Sequence, residues 1–440
     1  MSDLALLGGP PVIKSNFRPY NSIGAREKEA ANRVLDSGVL SQFVGAWCDD
    51  FYGGPFVQQL ERAWEERFSV AHAVSVNSAT SGLYAAIGAA GVGPGDEVIV
   101  PPFTMSATVM APLIYGAVPV FADIEQDTFC LDVEEVRKNI TSKTKAILVV
   151  DLFGHPAKLA ELRALSDQHG ITLIEDNAQG PLATENGKYA GTVGHIGVFS
   201  LNYHKHFHAG EGGICVTNSE FLAKRLQMIR NHGENVTENL SMTDLSNMIG
   251  FNYRMTELTA AIALEQLKDA EIHVARRERI ASALSETVKD LEGITPPVVR
   301  ENCRHVYYVW AARYLADQVG VSRELFSKAL TAEGFPNSLG YVEPLYLLPL
   351  FQKRIALGSQ GFPFNLSDRV YEKGMCPIVE QMYEYELLEF HPCAFDLDNQ
   401  QLEQLCEAFL KVFANRDKLR NIEKDQAVRG GVVGTSSSKH

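Results

Sequence analysis

The chain contains 440 residues, of which 45% are hydrophobic, and it carries a formal net charge of -14. This length predicts a large buried core that is divided between two domains. The excess of acidic residues leaves no basic surface for a nucleic-acid backbone, and no run of about 18 apolar residues is present to cross a membrane. We therefore expect a cytoplasmic protein that binds neither nucleic acid nor a membrane.

The cysteines argue against a disulfide framework and against a zinc site. Seven cysteines are spread along the chain without a Cys-x-x-Cys pair. Because the number is odd and no paired spacing occurs, we expect free thiols and no bound metal.

Residues 1–70 are predicted to form an N-terminal arm with two helices. Apolar residues recur at helical spacing from Arg26 to Leu35 and from Phe56 to Phe68, with glycines between the two stretches. The intervening loop VGAWCDDFYGGP (44–55) is predicted either to line a substrate cleft or to lie at a subunit interface.

Residues 71–270 are predicted to form the larger domain. Short apolar runs rich in Val and Ile alternate there with helical stretches such as 158–169. This alternation predicts an α/β domain with a mostly parallel sheet whose strands are buried on both faces. The predicted strands are AHAVSV, DEVIVP, VPVFADI, KAILVVDL, ITLIEDN, IGVFSL and GICVTN.

A smaller α+β domain is predicted for residues 271–425. It begins with a long connecting helix that includes ARRERIASALSETVKDLEG, continues through the strand-like VYYVWAARY and ends in an amphipathic helix from Asn399 to Phe413. The last segment, 426–440, contains the Gly/Ser-rich end of the chain and is predicted to be a disordered tail.

Polar residues at the ends of the predicted strands are the first candidates for a site, because such sheets bind ligands at the carboxyl ends of their strands. After AHAVSV, the turn NSATSGL (77–83) leads into a helix whose free backbone N–H groups could hold a phosphate, although Ser and Thr also serve there as ordinary helix caps. Asp176 is the next-to-last residue of ITLIEDN (171–177), and Gln179 follows three residues later. A buried carboxylate at this position needs a cation or N–H partners, unless Asp176 simply caps a helix.

One lysine lies among three histidines in YHKHFHAGEGG (203–213), directly after the strand IGVFSL. A metal site would use His204, His206 and His208, yet no carboxylate or cysteine pattern accompanies them, so metal binding is the weaker interpretation. Desolvation and neighbouring histidines lower the pKa of a lysine in a cleft, which lets its amine form a Schiff base with a carbonyl. The segment therefore favours Lys205 as the reactive group.

An ordered set of motifs between residues 75 and 261 resembles the DegT/DnrJ/StrS family of pyridoxal-phosphate (PLP) sugar aminotransferases. The motifs are SVNSATSGL, PPFTMSAT, PVFADI, IEDNAQ, VFSLNYHK with HFHAGEGG, and GFNYRMTELTAA. The resemblance implies the aspartate aminotransferase-like fold, called fold type I, and a homodimer with active sites at the subunit interface. It also implies that the cofactor alternates between PLP and pyridoxamine phosphate (PMP) while an amino group moves from L-glutamate to a keto sugar, commonly nucleotide-linked.

The resemblance implies roles for individual residues. Lys205 would hold PLP as a Schiff base and then carry protons, while Asp176 would pair with the pyridine nitrogen and Gln179 would lie near the ring hydroxyl. The remaining cofactor contacts would come from Ala79, Thr80 and Ser200 at the phosphate, and from Asn252 of the partner subunit.

Other positions depart from the family pattern or leave it open. Where the family has an aromatic residue stacked on the cofactor ring, this sequence has Met105, whose thioether can pack against a ring, and Phe103 is the alternative. Arg254 is a candidate for the carboxylate of the amino donor, but a structural ion pair is an equal interpretation. The candidates for the acceptor cleft are His204, His206 and His208.

Two other functions stay open at the level of the sequence. Some members of the family are sugar dehydratases in which a histidine replaces the Schiff-base lysine. Counting back from the glycine-rich segment 210–213 places Lys205 at that position, which favours transamination. A non-catalytic, PLP-binding regulatory protein is the second alternative, although no basic DNA-binding segment is attached.

Overall fold

The computed structural model describes residues 3–433, with side chains as far as residue 424. Within this range the strands form three sheets of seven, four and three strands. The strands are β1 (His72–Val76), β2 (Glu97–Val100), β3 (Val118–Phe121), β4 (Thr144–Val150), β5 (Thr172–Asp176), β6 (Thr184–Glu185), β7 (Lys188–Tyr189), β8 (Ile196–Ser200), β9 (Gly213–Thr217), β10 (Ile294–Thr295), β11 (Cys303–Arg304), β12 (Trp310–Tyr314), β13 (Ser338–Leu339) and β14 (Leu387–Phe390).

Helices fill most of the chain between these strands. They are α1 (Ala25–Ser37), α2 (Pro55–Phe68), α3 (Ala79–Ala89), α4 (Ala107–Ile114), α5 (Val133–Asn139), α6 (Leu159–His169), α7 (Glu220–Arg230), α8 (Glu257–Lys268), α9 (Ala270–Val288), α10 (Ala316–Val319), α11 (Arg323–Ala332), α12 (Pro349–Gln352), α13 (Pro377–Gln381), α14 (Asn399–Ala414) and α15 (Arg416–Val433). No helix in this described part of the chain is both long enough and apolar enough to cross a membrane.

The seven-stranded sheet has the order β1-β9-β8-β5-β4-β2-β3. Each of its strands overlaps one of the seven predicted apolar runs, and β8, β5, β4, β2 and β3 pair in parallel. In this sheet β9 runs antiparallel to both of its neighbours. The prediction of an α/β domain with a mostly parallel sheet is thus confirmed.

Side chains of the N-terminal helices explain how they attach to this sheet. Leu60, Trp64 and Phe68 recur every four residues on α2, so they lie on one helix face, and all three are buried. The rings of Trp64 and Phe68 stack at a centroid distance of 5.1 Å and both contact Phe199 of β8. This packing fixes α2 against the strand that leads to Lys205.

Two large buried clusters make up most of the interior, and α9 connects them. Ala270 and Val274 at the start of α9 belong to the larger cluster around the seven-stranded sheet. Ile280 and Leu284, farther along the same helix, belong to the smaller cluster, which covers the antiparallel sheet β10-β12-β14-β13. The predicted connecting helix therefore carries the chain from one core to the other.

The clusters divide the chain differently from the predicted ranges. In the N-terminal arm, Leu4 and Phe17 pack in the smaller cluster. Tyr346 and Phe351, which lie in the range predicted for the small domain, pack in the larger cluster. Neither core is continuous in the chain, because segments from both ends of the sequence return to complete them.

The C-terminal segment is helical where it is described. Helix α15 includes residues 426–433, for which the sequence predicted disorder. Residues 434–440 of that predicted tail lie outside the described residues.

Candidate active site

A cleft of about 140 Å³ opens where strands β5 and β8 end and helices α3 and α4 begin. This is the position at which open parallel sheets bind ligands. The cleft is lined by Ser78, Ala79, Thr80, Leu83, Thr104, Met105, Ala107, Asp176, Ala178, Gln179, Ser200, Asn202, His204, Lys205 and Glu211. It therefore brings together eight of the residues that the sequence predicted for the site.

Lys205 reaches the cleft from a tight turn that follows β8. Its backbone N–H donates to the carbonyl of Asn202 at 3.0 Å. The side chain is only 8% exposed, and its Nζ lies 4.2 Å from the centre of the Tyr308 ring. Burial lowers the pKa of Lys205 from 10.5 to about 8, against the opposing effect of the Asp176 carboxylate. A substantial share of this amine is consequently neutral near physiological pH.

Asp176 ends β5, the strand beside β8. Its Oδ2 accepts a hydrogen bond from Thr108 Oγ1 at 2.8 Å, and its Oδ1 accepts one from the backbone N–H of Ala178 at 3.2 Å. Burial raises the pKa of this carboxyl, while these hydrogen bonds and the charge of Lys205 act in the opposite direction. The two donors fix the carboxylate in one orientation and favour its ionised form.

The first turn of α3 presents backbone N–H groups to the cleft. Ser78 caps this helix, since its Oγ accepts from the N–H of Ser81 at 3.0 Å, and Ala79 and Thr80 line the cleft beside it. Gly213 at the start of β9 passes so close that a Cβ there would lie 2.6 Å from Ala79 N. A helix N-terminus with free N–H groups attracts anions, so this turn suits a phosphate.

Gln179 and Ser200 line the cleft but already have hydrogen-bond partners. Gln179 Oε1 accepts from the N–H of Phe153 at 2.8 Å, and its Nε2 donates to Tyr341 Oη at 3.1 Å. Ser200 Oγ accepts from the N–H of Asn202 at 3.3 Å. These bonds leave the Ser200 hydroxyl proton free for a ligand.

Of the two residues considered for the cofactor ring, Met105 lies at the cleft and Phe103 does not. Met105 is 57% exposed and lines the opening. Phe103 is fully buried and packs edge-on against Tyr341 at a centroid distance of 5.6 Å. Of the two residues, only Met105 is therefore placed to contact a ligand in the cleft.

The three histidines point in different directions, because the segment forms a turn. His204 is exposed and lines the cleft. His206 is fully buried with its Nε2 2.8 Å from the carbonyl of Val306, and burial lowers its pKa to about 3. His208 is half-buried and its Nδ1 accepts from the N–H of Gly210 at 3.3 Å. His206 and His208 thus have the local hydrogen-bonding role, and the described residues contain no group of three ligands suited to a metal.

Asn252 and Arg254 lie outside the set of residues that line the cleft of their own chain. Arg254 Nε donates to Asn252 Oδ1 at 2.9 Å, and its Nη1 donates to the carbonyl of Phe43 at 3.4 Å. The loop 44–55 is held nearby, since Asn231 Nδ2 donates to the carbonyls of two of its residues, each at 3.0 Å. Within one chain, the recorded hydrogen bonds of Asn252 and Arg254 go to neither Lys205 nor Asp176.

Some residues of the site escaped the sequence analysis. Thr108, the donor to Asp176, is the last residue of the motif PPFTMSAT, so the motif itself is the sequence signal for it. Tyr308 lies about 100 residues beyond Lys205, and no local pattern signals its contact. Thr104 lines the cleft with a buried Oγ1 that has no hydrogen-bond partner among the described residues.

These residues fit PLP. Lys205 supplies an amine of lowered pKa for the aldehyde, and Asp176 supplies an oriented carboxylate that needs a cationic partner. The N-terminus of α3 and the unpaired Thr104 hydroxyl provide donors for anionic and polar groups. Each group is on the wall of the same cleft, which suits one compact ligand.

Comparison with known proteins agrees with this interpretation. The model of the DegT/DnrJ/EryC1/StrS aminotransferase family matches residues 22–387. The L-glutamine:2-deoxy-scyllo-inosose aminotransferase of Streptoalloteichus tenebrarius is 33% identical, covering 95% of this chain and 99% of that protein. The GDP-perosamine synthase of Caulobacter vibrioides is 34% identical, covering 67% of this chain and 78% of that protein. The solved aminotransferase from Psychrobacter cryohalolentis aligns with a TM-score of 0.78 at 27% identity, covering 91% of this chain and 100% of the other.

The fold and the cleft define a PLP-dependent aminotransferase of fold type I. The chain belongs to the DegT/DnrJ/EryC1/StrS aminotransferase family. The predicted family, fold type, cofactor and enzyme class are thereby confirmed.

Proposed function

We propose that this aminotransferase moves an amino group from L-glutamate or L-glutamine to the keto carbon of a polyhydroxylated six-membered ring. The acceptor is either a nucleotide-linked keto sugar, as the sequence predicted, or a free cyclitol. The names of the two relatives support both acceptor types, and one of them adds glutamine as a donor to the predicted glutamate. A cytoplasmic location stays a prediction.

The observation that carries the proposal is the placement of Lys205 and Asp176 on the wall of one cleft. When bound, PLP supplies the electron sink that lets a hydrogen leave the donor carbon as a proton. Asp176 is suited to hold the ring nitrogen in its protonated state, because its carboxylate is oriented by Thr108. Lys205 is suited to take up and return the proton, since its pKa of about 8 is close to the working pH.

A dehydratase is the rival activity within the family. In the family's dehydratases a histidine stands where this chain has Lys205. Neither histidine next to Lys205 is suited to take its place, because His206 is fully buried and His204 is exposed at the cleft opening. Transamination therefore fits the site better.

The decisive experiment combines peptide identification with a half-reaction. Borohydride should fix the cofactor onto the peptide that carries Lys205, and Lys205→Ala should abolish this fixation. Glutamate or glutamine alone should convert the bound cofactor to PMP, and a keto sugar or 2-deoxy-scyllo-inosose should then restore PLP. Fixation on another lysine, or product that lacks nitrogen, would contradict the proposal.

We further propose a homodimer in which Asn252, and with it Arg254, reaches the cleft of the partner subunit. Asn252 is exposed and follows Leu245 and Ile249 closely in the sequence, two apolar residues that are 58% and 71% exposed. Such an exposed apolar surface is typical of an interface. The segment is therefore suited to contact a second copy of the chain.

Complementation between subunits tests this arrangement. Lys205→Ala and Asn252→Ala would each inactivate a homodimer. In a mixed dimer one of the two sites would regain both native residues, so random mixing should restore about a quarter of the wild-type activity. No recovery in a sample shown to contain mixed dimers would place Asn252 in its own subunit's site or outside the site.

A further inference from the structure

The backbone next to Lys205 is held by a side chain from the N-terminal arm. The hydroxyl of Tyr20 donates to the carbonyl of His206 at 3.0 Å. His206 is the residue that directly follows Lys205, and it precedes the segment that returns to β9. A contact across 186 positions of sequence thus fixes the turn that presents the reactive amine.

The same hydroxyl is held in turn by α9. Tyr20 Oη lies 2.7 Å from His273 Nδ1. A hydroxyl has a single proton, and a carbonyl can only accept, so the Tyr20 proton belongs to the bond with His206 and His273 donates through Nδ1–H. Burial lowers the pKa of His273 to about 4, so its imidazole is neutral at physiological pH and carries its proton on Nδ1. The chain of donors runs from His273 through Tyr20 to the backbone beyond Lys205.

Arg277, one turn farther along α9, holds the ring of Tyr20. Its guanidinium carbon lies 3.6 Å from the centre of that ring. The side chain is fully buried, and its three nitrogens have no hydrogen-bond partner among the described residues. The guanidinium therefore lies in close contact with the face of Tyr20, and a cation over the ring restricts the orientation of that ring.

A second set of contacts holds the other side of the turn. His206 Nε2 lies 2.8 Å from the carbonyl of Val306. Tyr308, two residues farther along, covers the Nζ of Lys205 at 4.2 Å. His206 is thus fixed both through its carbonyl and through its ring, while Lys205 extends from a backbone with little freedom.

We propose that Tyr20 is a positioning residue for Lys205. Its hydroxyl, oriented by His273 and Arg277, fixes the carbonyl of His206 and so aims the Lys205 side chain into the cleft. The inference rests on the proposed role of Lys205 as the residue that binds the cofactor. It assigns the N-terminal arm a part in the reaction, although Tyr20 does not line the cleft.

Tyr20→Phe in the holoenzyme tests the inference, because it removes only the hydroxyl. Tyr314→Phe is the matched control, since Tyr314 Oη also donates to a backbone carbonyl, that of Val321, at 2.9 Å, in the smaller core. Each variant loses one buried hydrogen bond, so both should lower the Tm by similar amounts. Only Tyr20→Phe should lower kcat, by about ten- to a hundredfold, with KM changed less than about twofold.

A spectroscopic measurement separates positioning from stability. The visible absorbance of the cofactor bound to lysine titrates with pH. In Tyr20→Phe this titration should move upward by about half a pH unit or more, because a looser turn admits water that stabilises the charged linkage. The titratable groups that surround Lys205 and can influence this titration are Asp176, Cys393, His204, His206 and Tyr308. Tyr314→Phe should titrate as the wild type does.

A pair of variants at His273 keeps the test open if Tyr20→Phe folds poorly. His273→Asn keeps an N–H donor near the position of Nδ1, whereas His273→Leu removes it. The leucine variant should reproduce the loss of kcat, and the asparagine variant should recover most of it.

Unchanged kcat and an unchanged titration in Tyr20→Phe, with a Tm decrease equal to that of Tyr314→Phe, would show that Tyr20 is only structural. Equal kcat losses in both variants would overturn the inference in the same way. Borohydride fixation on a lysine other than Lys205 would instead refute the proposed role of Lys205 itself.

Discussion

In the cofactor-free protein, Asp176→Asn is expected to increase the reactivity of the Lys205 amine although it suppresses transamination. The two effects have opposite signs because the carboxylate acts on two partners. It raises the pKa of Lys205, which keeps the amine protonated, and it is proposed to hold the ring nitrogen of PLP, which turnover requires. Loss of the second role should lower kcat by orders of magnitude.

The size of the first effect follows from the pKa of Lys205. With a pKa of about 8, roughly a quarter of the amine is neutral at pH 7.5, compared with about 0.1% at the ordinary value of 10.5. Removal of the Asp176 charge lowers the pKa further, so the neutral fraction rises toward one. The reactivity of Lys205 at pH 7.5 should therefore increase by up to about fourfold.

Competitive acetylation with acetic anhydride measures this reactivity residue by residue. The labelled fraction of the Lys205 peptide is determined by mass spectrometry over a range of pH, with the exposed Lys353 as internal standard. Asp151→Asn is the matched control, because Asp151 is a buried acid just after β4 whose pKa burial raises well above its usual value. Asp151 is not among the groups that shift the pKa of Lys205, so Asp151→Asn should leave the reactivity of Lys205 unchanged.

Two outcomes would refute the reasoning. Labelling of Lys205 that follows the pH dependence of an ordinary lysine would show that burial does not lower its pKa. Lower reactivity of Lys205 in Asp176→Asn than in the wild type at pH 7.5 would show that Asp176 does not stabilise its charged form.

Three further predictions concern the walls of the cleft and the core. Gly213→Ala should weaken PLP binding by about tenfold or more in a fluorescence titration, because the new Cβ would lie 2.6 Å from Ala79 N and displace the first turn of α3. Unchanged affinity would show that the cofactor phosphate binds elsewhere. Met105→Ala should raise the Kd for PLP several-fold, about 1 kcal/mol, if the thioether packs on the ring, whereas Met105→Phe should preserve affinity. The free energy of unfolding should fall as the pH drops from 6.5 toward 3. In this range the histidines of the unfolded chain bind protons, whereas the buried His206 and His155, with pKa values of about 3 and about 4, stay neutral in the folded protein. Urea unfolding at pH 7 and pH 5 checks this prediction, and equal midpoints would contradict it.

The seven strands of the large sheet could be predicted because their signal is local. Runs of Val and Ile between helices identify buried strands from composition and spacing alone. The direction of β9 was not predicted. Ser200 and Gly213 are joined by twelve residues that form turns without a helix, and a strand that returns without a crossover helix runs antiparallel. The antiparallel direction of β9 could therefore have been inferred from the short, helix-free connection between β8 and β9, but not from the residues of β9 itself.

The residues that tune the site could not be predicted for a different reason. Asp176 ends β5 and Lys205 follows the end of β8, so both could be predicted from the positions of the strands in the sequence. Tyr308 and Tyr20 reach the same turn from positions about 100 residues downstream and 186 residues upstream. Contacts of this kind depend on how the two clusters pack together, and no periodicity in the chain encodes that packing.

The cleft holds two groups that folding alone leaves poorly satisfied. Burial disfavours the charged form of Lys205 and also that of Asp176, and each of the two charges stabilises the other only in part. A ligand with an aldehyde and a basic ring nitrogen relieves both costs, since the amine becomes part of a covalent linkage and the carboxylate gains a cation. Binding of PLP should for this reason raise the Tm of the wild type more than that of Asp176→Asn, in which one of the two costs is already absent. Equal increases in Tm would mean that the carboxylate gains nothing from the cofactor.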